Sequence, residues 1–141
     1  MNKQGPIIFI EDDLEDQDIL ADVFKSLDYN NEIIFFSESE KALEYLTATK
    51  IKPFIIFSDI NMPKLNGMEL RDKVRENKEL EIKSIPYLFF TTTAEQKNVI
   101  DAYSKSIQGF FIKPSDYNQI KAMMKIIIEY WKICVSPDYT G

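Results

Sequence analysis

Five short unbroken apolar runs limit what this chain can fold into: residues 7–10, 33–36, 54–57, 87–90 and 110–112, rich in Ile and Phe. None alternates with polar residues. Strands that lie in a parallel sheet covered on both faces read this way, and Ile and Phe suit strands. Every gap between the runs is long enough for a crossover helix. The gaps also carry helical spacing. Leu14, Ile19, Leu20, Val23, Phe24 and Leu27 fall near one helical face, as do Ala42, Leu43 and Leu46 in the second gap. Met68, Leu70 and Val74 do so in the third gap, and Val99, Ile100 and Tyr103 in the fourth. Asp116 is an N-cap candidate for a last helix running to about Lys132. The reading is βαβαβαβαβα: an α/β domain in three layers with five helices and right-handed crossovers.

That last helix carries a stripe of Ile120, Met123, Met124, Ile127 and Trp131, with Lys121, Lys125, Glu129 and Lys132 opposite. Ile126 and Ile128 flank the stripe. A broad core-facing helix accounts for it; a partner or dimer face is the alternative.

The polar residues that follow each run carry the chemistry. Run one leads into Glu11-Asp12-Asp13, run three into Ser58-Asp59, run four into Thr91-Thr92-Thr93, and run five into Lys113-Pro114. In a parallel sheet these ends share one edge, where open α/β sheets bind their ligands. Singly, each has a plain explanation as a helix cap or a solvated strand end. Together they place carboxylates, hydroxyls and an ammonium side by side. Glu11, Asp12 and Asp59 brought together repel and raise one another's pKa. A hard divalent cation relieves this, and an all-oxygen set suits Mg²⁺, with Mn²⁺ as a substitute. Such a metal can hold a phosphoryl oxygen while Lys113 and Thr91 bind the others. The set describes a carboxylate that receives a phosphoryl group.

Composition removes several chemistries. The chain of 141 residues has no histidine, so His-dependent nucleophilic catalysis is absent. Its one cysteine, Cys134, cannot form an internal disulfide, which makes a reducing, cytoplasmic setting the expectation. A net charge of −6 opposes direct nucleic-acid binding. No segment approaches the apolar length of a membrane span. The expected organisation is one domain over residues 1–134 with a short C-terminal tail, 135–141, too short for an output domain.

Five segments in order carry a resemblance: Ile10-Glu11-Asp12-Asp13, Asp59-Ile60-Asn61-Met62-Pro63-Lys64-Leu65-Asn66-Gly67, Phe90-Thr91-Thr92, Gly109-Phe110-Phe111-Ile112 and Lys113-Pro114. From about Pro6 to Lys132 the chain resembles the receiver domain of bacterial two-component response regulators. The resemblance implies a flavodoxin-like sheet of order 2-1-3-4-5. It implies Asp59 as phospho-acceptor, with Glu11, Asp12, Asp59 and the Asn61 carbonyl around Mg²⁺. Lys113 is then the phosphoryl contact, Thr91 the switch hydroxyl and Phe110 the rotating aromatic. Pro63 and Gly67 shape the loop after Asp59, and the Lys113–Pro114 bond is expected to be cis. Asp13 reads as a helix cap and not as a ligand. Thr92 stands where the family mostly has Ala or Gly, and Asn61 and Thr93 occupy the positions that tune dephosphorylation. The acidic run Glu15, Asp16, Asp18 and the long, charged stretch 76–84 look similar to stand-alone regulators of the phytochrome-associated type.

The implied partners are a histidine kinase or histidine phosphotransfer protein, and a downstream protein target or a second copy as homodimer. The switched face is built by the fourth helix, fifth strand and fifth helix. Three readings compete. A haloacid-dehalogenase-type phosphatase expects an Asp where Asn61 stands. A flavodoxin-like electron carrier expects a hydroxyl- and glycine-rich phosphate loop where three carboxylates stand. A phosphorylation-independent interaction module keeps the fold without the chemistry.

Overall fold

The computed structural model describes residues 1–48, 50 and 52–137. It contains β1 (Ile7–Ile10), α1 (Leu14–Leu27), β2 (Ile33–Phe36), α2 (Ser39–Ala48) and β3 (Ile55–Ser58). There follow α3 (Gly67–Glu76), α4 (Lys78–Ile82), β4 (Tyr87–Thr91), α5 (Gln96–Ser104), β5 (Gly109–Ile112) and α6 (Tyr117–Ile133). All strand pairs are parallel and the order is β2-β1-β3-β4-β5.

Alternation along the central strands divides the interior in two. Ile7 and Phe9 of β1, with Ile55 and Phe57 of β3, meet Leu20, Val23 and Phe24 of α1 and Ile120, Met124, Ile127 and Ile128 of α6. Ile8, Ile10 and Ile56 turn the other way, towards Ala42 and Leu46 of α2, Leu70 and Val74 of α3, Leu80 of α4 and Ala102 of α5. Both sheet faces are covered, which explains the unbroken apolar runs. Phe9 stacks on Phe57 with ring centroids 4.6 Å apart, so adjacent strands lock through their rings as well as their backbones.

Local chemistry sets the helix ends. Asp13 caps α1 by accepting from the Glu15 and Asp16 amides. Asn66 and Glu69 form a reciprocal capping box at α3. Asp116 caps α6 through the Gln119 amide, as its position predicts.

Several expectations change. The described residues form six helices, not five: the charged stretch after α3 holds α4, capped by Asn77 and anchored by buried Leu80. The fourth helix, fifth strand and fifth helix of the sequence reading therefore correspond to α5, β5 and α6. Leu14, the first residue of α1, is 67 % exposed and takes no part in the core. On α5, Ile100 and Tyr103 face outward and Ala102 faces the sheet. A step of about 100° per residue separates these sides, and the small alanine permits close approach. On α6, Ile128 is buried and Ile126 exposed, so the core stripe lies to one side of the expected one. The Lys113–Pro114 bond is trans, the isomer that X–Pro bonds favour by about 0.5–1 kcal/mol. Of the tail, residues 138–141 lie outside the described residues. No helix among the described residues is long and apolar enough to cross a membrane.

Candidate functional site

The carboxyl ends of β1, β3, β4 and β5 gather the polar residues. Glu11 follows β1, and its backbone amide donates to Phe36 O of β2 at 2.9 Å. Asp59 follows β3, and its amide donates to Ile10 O at 3.0 Å. The Lys113 amide donates to Thr91 O at 2.7 Å, tying the end of β5 to that of β4. Sheet hydrogen bonding thus aligns residues far apart in the chain.

Lys113 Nζ is the hub. It donates to Glu11 Oε1, to Asp16 Oδ2 at 3.1 Å and to Asp59 Oδ2 at 3.2 Å. Its three protons match these three carboxylates. Carboxylate oxygens of Glu11, Asp12 and Asp59 lie within 4.8 Å of one another. Glu11 is buried, Asp59 half-buried and Asp12 exposed, so the acidic cluster opens to solvent on the Asp12 side. Three hard oxygen donors in that arrangement fit a small divalent cation.

The electrostatics follow from burial and charge. Burial pushes the Glu11 carboxyl above its ordinary value, opposed by the Lys113 ammonium and the Asp13 amide. Burial works against the charged form of Lys113, but Glu11, Asp59 and Asp16 outweigh it and raise its pKa. Lys113 is therefore a fixed cation at neutral pH, held 5.8 Å from the centroid of the Phe90 ring.

The loop after Asp59 is shaped by backbone. Asp59 Oδ1 accepts from its neighbour's amide, Ile60 N, at 2.7 Å, leaving Oδ2 towards Lys113. The Met62 and Gly67 amides both donate to Ile60 O, at 3.0 and 2.8 Å. Lys64, just after Pro63, has a left-handed φ of 65°. A Cβ on Gly67 would stand 2.1 Å from Asp59 O, so only glycine lets α3 begin against the Asp59 backbone.

The sheet edge brings Glu11, Asp12, Asp59, Thr91 and Lys113 together. Thr91 is buried, while Thr92, Asn61 and Pro63 are exposed. Pro114 is half-buried beside Lys113. Phe110 is half-buried on β5, its ring centroid 5.9 Å from that of Phe89. Asp13 is the helix cap and takes no part in the acidic cluster. Two residues were not expected at the site, although Asp16 stands out in the acidic run that follows Asp13. Asp16 reaches Lys113 from the first turn of α1. Gln17 Nε2 donates to Glu11 O at 2.6 Å and to Ser37 Oγ at 3.1 Å, bracing the end of β1. Their signal was position alone: the first turn of a helix that starts right after a strand end.

The model of the response regulator receiver domain matches residues 7–125. The chain belongs to the response regulator receiver family. The receiver is 25 % identical over 135 residues to the response regulator Rcp1 of Synechocystis sp., covering 92 % of this chain and 90 % of that one. Among solved structures, the phosphorylated cyanobacterial phytochrome response regulator RcpA superposes with a TM-score of 0.83 at 21 % identity, covering 95 % of this receiver and 99 % of that chain. The Mn(2+)-bound form of Rcp1 superposes with a TM-score of 0.82 at 23 % identity, covering 96 % and 99 %. At those identities the two structures speak for the fold.

Proposed function

We propose that this receiver is a stand-alone switch that accepts a phosphoryl group on Asp59 from a phosphohistidine of a partner histidine kinase or histidine phosphotransfer protein. The observation that carries the reading is one buried ammonium, Lys113, shared among Glu11, Asp16 and Asp59 beside a solvent-facing acidic cluster.

Glu11, Asp12, Asp59 and the Asn61 carbonyl are the proposed holders of Mg²⁺, for which Mn²⁺ can substitute; Rcp1, a relative, has an Mn(2+)-bound form. When bound, the cation supplies positive charge for the phosphoryl oxygens. The chain's own residues do the rest. An Asp59 carboxylate oxygen attacks phosphorus, the O–P bond forms, the N–P bond breaks, and the partner's imidazole leaves with the electron pair. Lys113, already a fixed cation, moves its third contact from Asp59 to a phosphoryl oxygen. Water attack on the acyl phosphate returns the carboxylate and inorganic phosphate.

The phosphoryl group brings about −1.5 to −2 charge and new acceptor oxygens. Thr91 turns towards it and vacates space, and Phe110 turns inward. The population then shifts between two packings of α5, β5 and α6. Ile100, Tyr103 and Ile112 already stand exposed on that face, which supports a downstream protein target or a second copy as the reader. Thr92, exposed at the mouth of the site, sets access to the phosphoryl group.

The test is incubation with acetyl phosphate and Mg²⁺, read by intact mass. One phosphoryl group is expected on the wild type and none on Asp59→Asn. Labelling of that variant overturns the acceptor. An unlabelled but folded wild type leaves the interaction-module reading in its place.

A further inference from the structure

We propose that a cleft at the opposite end of the sheet binds a small organic anion with an apolar body, its charged head on Arg71 and Arg75. The cleft lies at the amino ends of β4 and β5, among Ile85, Pro86 and Gln108, and so faces away from Asp59. It encloses about 290 Å³. The proposal is independent of phosphoryl transfer.

The cation is the first part of the argument. Arg71 is 8 % exposed. Its guanidinium donates from Nε to Lys105 O at 2.9 Å and from Nη2 to Ser106 O at 2.8 Å, and it stands 5.1 Å from the centroid of the Tyr87 ring. These are neutral partners. Among the described residues no carboxylate pairs with it. Burying a charge that no close ion pair neutralises is costly, and burial weighs against the charged form of Arg71, with Arg75 adding to this and the Asp72 and Glu81 carboxylates offsetting it only in part. Arg75, one turn further along α3, lines the same cleft and is exposed, also without a carboxylate pair. Among the described residues Glu81 is the single carboxylate on the wall, so the described lining keeps an excess of positive charge. Two guanidinium groups a turn apart suit the planar, multidentate geometry of a carboxylate or phosphate head.

The wall supplies the second part. Gln108 and Trp131 also line a neighbouring cleft of about 250 Å³. Its other walls include Phe111, Ile126, Ile127 and Tyr130, and Ile126 and Tyr130 are exposed. A charged chamber therefore adjoins an apolar one, and their sizes fall in the range of small-molecule sites, about 300–1,000 Å³ in total. Gln108 is already committed, accepting from Tyr87 N and donating to Ser106 O, so it shapes the wall and the arginines select the head. Charge complementarity thus points to an anion, and the apolar chamber to its carbon body.

Trp131 is the single tryptophan of the chain and reports on both chambers. The wild-type protein is titrated with octanoate, phenyl phosphate, inorganic phosphate and the neutral 1-octanol, following Trp131 emission. Octanoate or phenyl phosphate is expected to give a saturable change. 1-Octanol and inorganic phosphate, each lacking one half of the chemistry, should bind at least about tenfold more weakly. Arg75→Glu, a change at an exposed position, should weaken the anions by at least about tenfold, with its thermal midpoint confirming the fold. Arg75→Gln serves if Arg75→Glu does not fold. The proposal is overturned if neither anion saturates below about 10 mM, if 1-octanol binds as tightly, or if the Arg75 variant binds as the wild type does.

Discussion

Lys113 Nζ donates to Asp59 Oδ2 at 3.2 Å across 54 residues of sequence. The same ammonium holds Glu11 and Asp16, so one cation neutralises part of an acidic cluster drawn from three elements. Its side chain is 8 % exposed, and the pairing is therefore little screened by solvent.

Removing that cation should strand the carboxylates. Lys113→Met is expected to lose about 3–5 kcal/mol of stability in EDTA, the usual cost of breaking a buried ion pair from one side. Millimolar Mg²⁺ should recover part of the loss by supplying another cation. Urea unfolding in EDTA and in Mg²⁺ measures both, and an unchanged midpoint in EDTA contradicts the ion-pair account.

Asp12 should separate metal binding from folding. It is exposed and makes no ion pair among the described residues. Asp12→Asn is expected to change stability by less than about 0.5 kcal/mol, as surface changes do. Its divalent-metal affinity should fall at least about tenfold, since it removes one of the three clustered carboxylates. Titration calorimetry with Mn²⁺ beside thermal unfolding reads the two effects separately.

Gly67 should tolerate no side chain. The added Cβ of Gly67→Ala meets Asp59 O at 2.1 Å, and the obstacle is backbone. A loss of about 1–3 kcal/mol is expected, typical of forced overpacking, together with weaker metal binding as the Asp59 loop shifts. Wild-type thermal stability in this variant would show that the close approach is relieved without cost.

Tyr87 should make the fold sensitive to alkali. Burial raises its pKa from the ordinary value of 10.0. Above about pH 10 the unfolded chain releases the phenol proton while the native state retains it, so stability falls as pH rises. Lys113 and Tyr29, both raised, act in the same direction. Tyr87→Phe should flatten the decline between pH 9 and 11, while costing at neutral pH no more than about 1.5 kcal/mol for the weak hydroxyl bond to Gly67 O. Parallel urea midpoints for the two proteins across that range would refute it.

What the sequence determined by itself is the alternation of elements and the identity of the strand-end residues. Runs such as residues 7–10 are apolar on both sides because both faces of the sheet are covered, and a side chain's position along a strand is a local property. The caps Asp13 and Asp116 were legible for the same reason, since capping acts within one turn. Tertiary structure alone decided the rest. Asp16 meets Lys113 only because α1 packs where the end of β5 arrives. Ile100 and Tyr103 face outward because docking through Ala102, and not the pattern of apolar residues, fixed the rotation of α5. The residues of α4 favour a helix and Asn77 caps it, but five residues are too few to hold one alone, and the burial of Leu80 decides it. Spacing along the chain encodes periodicity, whereas the distance between Lys113 and Asp59 is set by how the strands between them are ordered in the sheet.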